Sequence, residues 1–259
     1  MNTLTLFLSV IFGAIFGSFS TFFGYRLFNK NKDINLFGAR SICCNCNHEL
    51  SWKDLIPILS FIFLKGQCRY CKNNIPVWHF LAEIFMILSF VTAVKYFGGI
   101  NEKTIFMWII CFCLITQSII DLRIMLSSDV LHIIEFFSVI FLSYRIGISF
   151  SYIFLSYISM ILFFFILIIF MKKIYKKDCI GFGDIKLFVI LSPLLFYEKI
   201  PLFFCLCGIF GIISYFIATL SRQKRKLTFF NQKLLKVKND NPFPFIPAIF
   251  FAFLLAFYF

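Results

Sequence analysis

Eight apolar segments divide this chain, and most of them are too long for a soluble core. About 20 predominantly apolar residues are needed for a helix to cross a bilayer. Runs of that kind occupy 3–24, 77–97, 104–122, 151–171, 200–220 and 244–259, with weaker ones at 129–144 and 184–197. Of the weaker pair, the first carries His132 and Glu135 and the second is short and holds Pro193, so either could be buried or re-entrant. A soluble domain is about half apolar and a quarter charged. This chain is 61% hydrophobic and 14% charged. The fold expected is therefore an all-α polytopic membrane protein.

Charge sets the expected topology. The net charge of +13 lies mostly in three stretches: eight Lys/Arg in 25–76, four in 172–183 and seven in 221–243. Positive loops stay on the cytoplasmic side. Eight crossings then satisfy the parity between them, with both termini outside the cytoplasm. The same loops account for the basic balance, so no nucleic-acid partner is expected. The first apolar run has no basic residue before it, unlike a secretory signal, and reads as a retained helix. The organisation expected is a first transmembrane helix (1–24), a cytoplasmic loop (25–76) and a membrane domain (77–259).

The loop holds Cys43-x-x-Cys46 and, 21 residues later, Cys68-x-x-Cys71. Two separated pairs suit a tetrahedral four-thiolate zinc site, and four protein ligands leave no open position, so the metal would be structural. Two disulfides are the alternative, which a reducing cytoplasm disfavours. Leu50 and Ile75 follow their pairs at equal offsets, which reads as a repeated metal knuckle. Cys44 is extra, Cys179 has no role, and Cys111, Cys113, Cys205 and Cys207 fall in apolar runs as packing residues. His48 could donate to a thiolate.

Ionisable groups at membrane depth are functional candidates. Glu83, Asp121, Asp129, Glu135 and Asp184 lie in or beside the apolar runs. On the topology above, Asp121 and Asp184 share the cytoplasmic side. Two carboxylates at one depth can divide the work of activating water and protonating a carbonyl. Gly181 and Gly183 allow close backbone approach and positive φ ahead of a helix. Taken singly, Asp184 could be an N-cap and Asp121 an interfacial partner of Arg123.

These motifs together resemble the type IV prepilin peptidases, membrane aspartic proteases of the G-x-G-D type. The stretch from Ser41 through Cys71 is similar to the family's zinc-binding loop. Ile120-Asp121-Leu122-Arg123 resembles the first catalytic-aspartate motif, and Gly181-Phe182-Gly183-Asp184-Ile185-Lys186 the second. Gly17-Ser18-Phe19 and Tyr25-Arg26-Leu27 match the first segment. The resemblance implies leader cleavage of prepilins or pseudopilins at the cytoplasmic face of the bacterial inner membrane. It also implies N-methylation of the new terminus from S-adenosylmethionine. Asp121 and Asp184 would be catalytic, with Gly181, Gly183 and Lys186 supporting the motif. Arg26 and Glu83 are the methyltransferase candidates. The chain departs from the family pattern at Thr21, Phe28, Cys44, Ser128 and Ile246. Two rivals are an inactive assembly scaffold and a proton-coupled transporter using the same acids. The absence of inverted repeats disfavours the transporter.

Overall fold

Each of the eight apolar segments is helical in the computed structural model, which describes residues 3–27, 40–43, 45–176, 180–224 and 243–259. Cys44 and Cys179, Lys30 and Lys32, and most of the basic stretch 221–243 lie outside the described residues. No strand forms among the described residues. The helices are α1 (Thr3–Leu27), α2 (Leu59–Phe63), α3 (Val77–Phe97), α4 (Glu102–Ile124), α5 (Asp129–Ile146), α6 (Phe150–Tyr175), α7 (Phe182–Leu191), α8 (Ile200–Lys224) and α9 (Ile246–Tyr258). Five of them (α1, α3, α4, α6 and α8) are long and apolar enough to cross a membrane. In α5 the charged residues Asp129, Glu135 and Arg145 lower the apolarity. The remaining two, α7 and α9, are short, at 10 and 13 residues.

The chain forms two units, 1–119 with 128–149, and 120–127 with 150–259. In the first, α1 packs along α3 through a stripe of small residues: Ser9, Gly13, Gly17, Thr21 and Gly24 are buried at four- and three-residue spacing. Lipid chains are as apolar as leucine, so helices in a bilayer associate by close packing of small residues and not by excluding water. The approach is tight enough that a Cβ on Gly13 would come within 2.6 Å of Ile87 Cα, and one on Gly17 within 2.6 Å of Glu83 Cα. Phe90 stacks on Trp108 at 4.4 Å between ring centres, and the indole N–H donates to the Phe90 carbonyl. His132, Glu135, Ser138 and Ser143 of α5 turn inward. Glu135 is fully buried and accepts from Gln117 Nε2 at 3.1 Å, with His132 Nδ1 4.0 Å away. Here the polar side chains of a weakly apolar segment meet one another, which is what a polar group in hydrocarbon requires.

The second unit is built around Phe188 of α7. Its ring meets Phe164 of α6 and Phe203 and Phe204 of α8 at 5.1–5.3 Å. A 3₁₀ turn at Ser192–Leu194, carrying Pro193, ends α7 early, because proline removes a backbone donor. Leu187, Phe188, Ile190 and Leu191 of α7 are buried, and burial continues through Leu195.

Replacing Gly17 with leucine should force α1 from α3. A loss of roughly 1–3 kcal/mol is expected for overpacking of this kind, read as earlier thermal unfolding in detergent, with Gly208→Leu as a control because a Cβ there meets nothing.

Candidate functional site: a thiolate cluster and two buried acids

The cysteine loop of the first unit consists of two knuckles with one backbone. Cys43 N–H donates to the His48 carbonyl at 2.9 Å, and Cys68 N–H to the Asn73 carbonyl at 2.8 Å. Asn47 and Lys72, each just after its second cysteine, both turn to positive φ (54° and 58°). Isolated antiparallel bridges join Ile42 to Glu49 and Gln67 to Asn74. Leu50 N–H reaches Ser41 and Ile75 N–H reaches Gly66, again at equal offsets. The two knuckles face each other through His48, whose ring lies 3.7 Å from that of Tyr70.

This arrangement collects the Sγ atoms of Cys43, Cys46, Cys68 and Cys71 within 4.8 Å of one another. Cys43 and Cys71 are 3.8 Å apart. A tetrahedral zinc with Zn–S bonds of about 2.3 Å places its sulfurs about 3.8 Å apart, so the donor set fits the metal. Burial opposes ionisation at Cys43, but the amides of Cys46 and Asn45 and the neighbouring thiols outweigh it and lower the pKa to about 7. At Cys71 the Asn73 amide favours the thiolate. Burial and the three other sulfurs outweigh it and push the pKa up to about 11. Four thiols this close cannot all ionise without a cation among them.

Two carboxylates tie the loop down. Asp54 is buried and accepts from Ser51 N–H and Oγ, from Tyr70 Oη, and from Arg69 Nε at 2.6 Å. Burial alone would raise its pKa, but the Ser51 and Arg69 bonds more than reverse that and hold it below the usual carboxylate value. Glu83, seven residues into α3, accepts from Ile58 N–H at 2.7 Å and from the Ser18 side chain of α1. Ile58 has φ 63° and ψ −54°, with Leu59 N–H closing onto the Pro57 carbonyl at 2.6 Å. That is a strained γ-turn for a β-branched residue, held in place by Glu83. Arg26, at the end of α1, donates to the Arg40 carbonyl at 3.3 Å, and its guanidinium lies 3.8 Å from the Phe22 ring centre.

The second unit holds both aspartates. Asp121, in the last turn of α4, is buried, and Ile246 N–H donates to its Oδ2 at 2.9 Å. The Phe245 amide also points to this carboxylate. Asp184 stands in the first turn of α7, three residues after the N-cap Gly181, and is half-buried. It belongs to the same unit as Asp121, whose charge is felt at its carboxylate. The N-cap reading of Asp184 gives way to this placement. Neither glycine takes the positive φ expected, since Gly181 has φ −68° and Gly183 is helical. Their value is close approach. A Cβ on Gly183 would fall on Ser127 Oγ and lie 2.9 Å from Ser127 Cβ, and one on Gly181 would come within 3.0 Å of Asp184 Oδ2. Lys186 is exposed on α7, and Asp129 opens α5 in the first unit.

Sequence reasoning missed the contributions of four residues. Ser127 sets the Gly183 contact, Phe245 and Ile246 supply main-chain donors, and Gly211 makes room for Phe245, whose ring a Cβ there would meet at 2.7 Å. Backbone donors leave no signature of residue type. Only Gly211, in the middle of a helix, was open to suspicion.

A multi-pass helical membrane protein with a metal-ready thiolate cluster and, in its second unit, one buried and one half-buried aspartate is the class these features define. The Bacterial Peptidase A24 N-terminal domain matches residues 11–97, and the Type IV leader peptidase family matches residues 108–216. The chain belongs to the type IV leader peptidase family. Among its relatives is a prepilin leader peptidase/N-methyltransferase of Vibrio cholerae, 28% identical over 85% of this chain and 89% of that one. Proteins of the same name in Bacillus subtilis (26% identical, 95% and 91%) and Aeromonas salmonicida (28%, 69% and 62%) are also similar. No solved structure matches the chain.

Cys68→Ser should take bound zinc from one ion per chain to none, measured by metal analysis of the purified protein. Gly183→Ala should lower thermal stability by about 1–3 kcal/mol, and adding Ser127→Gly should restore most of it.

Proposed function

We propose that this protein is a membrane aspartic endopeptidase that removes the leader peptide from type IV prepilins or pseudopilins, with Asp121 and Asp184 as the catalytic pair. The observation that supports this reading is the placement of the two acids in one unit, Asp121 held by a main-chain amide and Asp184 partly open. Water between them would lose a proton to one carboxylate as its oxygen attacks the scissile carbonyl. The other, protonated, would donate to the carbonyl oxygen. Collapse of the resulting gem-diol returns a proton to the leaving amine, and no covalent intermediate forms. Gly181, Gly183 and Lys186 belong to the same motif, Gly183 by letting α7 approach Ser127 and Gly181 by leaving room for the Asp184 carboxylate.

Eight crossings of the inner membrane, both termini outside and the cysteine loop in the cytoplasm complete the reading. Loop charge supports that topology, and it brings the acids to the face where a leader would lie. Zinc is structural, held by Cys43, Cys46, Cys68 and Cys71.

The relatives' names add N-methylation of the new terminus. S-adenosylmethionine would supply the methyl group. Glu83 and Arg26 are engaged with Ile58, Ser18 and the Arg40 carbonyl. In this conformation they do not form a donor site, and no step through the donor is derived. We assign both to the methyl-transfer half as positioning residues that hold the cysteine loop.

Membranes carrying the protein, mixed with a prepilin, should shorten it by its leader, seen as a mass shift. Asp121→Ala and Asp184→Ala should each reduce cleavage by at least about 10³-fold, in keeping with the size of acid–base contributions. Cleavage surviving either change overturns the pair. A scaffold would show none in the parent protein.

A further inference from the structure

The described part of the cysteine loop exposes more apolar surface than a water-facing subdomain tolerates. Trp52 is 71% and Phe63 79% exposed, and Leu55, Ile56, Leu59 and Ile62 are exposed with them. On α2, Leu59, Ile62 and Phe63 fall at i, i+3 and i+4, so they share one face. The opposite face is spoken for, because Phe61 stacks on Phe80 at 4.8 Å. A contiguous patch of this kind marks an interaction surface.

Depth identifies the occupant. Ile58 is tied to Glu83 and Phe61 to Phe80. Glu83 stands six residues beyond the start of α3, which is long and apolar enough to span. At 1.5 Å per residue that is about 9 Å along the helix. The short helix α2 is therefore level with the first two turns of α3, the depth at which a span passes through the headgroup region.

Charge agrees. The acids Glu49 and Asp54 are taken by Arg40 and Arg69. Lys53 and Lys65 are exposed and adjoin the patch at its two ends, next to Trp52 and two residues after Phe63. Lys72 adds a third exposed ammonium. An aromatic and aliphatic face bordered by lysines is the composition of an interfacial segment on an anionic leaflet.

We propose that the cysteine loop docks on the anionic surface of its own bilayer through Trp52, Leu55, Leu59, Ile62 and Phe63. The metal knuckles are thereby held against the membrane. This depends only on α1 and α3 spanning, not on the peptidase reading.

The test uses the full, zinc-loaded chain in nanodiscs of phosphatidylglycerol and phosphatidylethanolamine, with lipids brominated near the headgroup. Quenching of tryptophan emission should contain a component that disappears in Trp52→Phe. That component should weaken at least about twofold in phosphatidylcholine or in Lys53→Gln/Lys65→Gln. Equal zinc content in every variant keeps the loop's folding out of the comparison. A Trp52 component insensitive to brominated lipid but quenched by aqueous iodide overturns the docking. Quenching unchanged by lipid charge and by the lysine substitutions overturns the anionic partner. Leader cleavage enters neither readout.

Discussion

A single main-chain hydrogen bond, from Ile246 N–H to Asp121, organises the second unit across 125 residues of sequence. It brings the start of α9 to the last turn of α4 and, together with the Phe245 amide, fixes the orientation of a buried carboxylate. Much of the surrounding packing maintains that contact. Gly211 leaves space for the Phe245 ring, Ser214 Oγ holds the Pro244 carbonyl, and Pro247 lies in the first turn of α9. Side chains differ among homologous proteins more readily than an amide direction does. An isoleucine can therefore stand at 246 without loss of the donor.

The first unit solves a different problem. An extramembrane loop with four sulfurs must be attached to helices that associate by close packing alone. Glu83 makes the attachment. It lies on α3 where Gly17 lets α1 approach closely, it receives the Ser18 side chain, and it holds the strained Ile58 turn from which α2 begins. Asp54 performs the equivalent task inside the loop, binding the turn at Ser51 to the second knuckle. Each carboxylate is withdrawn from solvent and hydrogen-bonded, Asp54 by four donors and Glu83 by two, as a buried polar group must be if it is to organise structure.

The sequence made legible whatever depends on residue type at fixed spacing. The helical segments followed from apolar length, the thiolate cluster from two C-x-x-C pairs, and the knuckle repeat from Leu50 and Ile75. What escaped was conformation and partnership. Positive φ was assigned to Gly181 and Gly183, yet it falls on Asn47, Ile58 and Lys72, where hydrogen bonds and not side-chain size decide the turn. The inward polar pair Glu135–Gln117 was visible only as two separate polar residues in apolar runs. The glycine stripe of α1 was present in the sequence and went unread, because small residues were noted there only as motif matches.

The two knuckles carry one backbone and different side chains. That makes the loop a natural internal control, two knuckles alike in cysteines and backbone hydrogen bonds and different in the side chains between them. Positions 69 and 70, inside the second copy, hold an arginine and a tyrosine that reach Asp54; the first copy has Cys44 and Asn45 in their place. Selection on metal retention acts on both halves alike. Selection on what the loop touches can act on one half alone, so the two demands can drift apart without either being sacrificed.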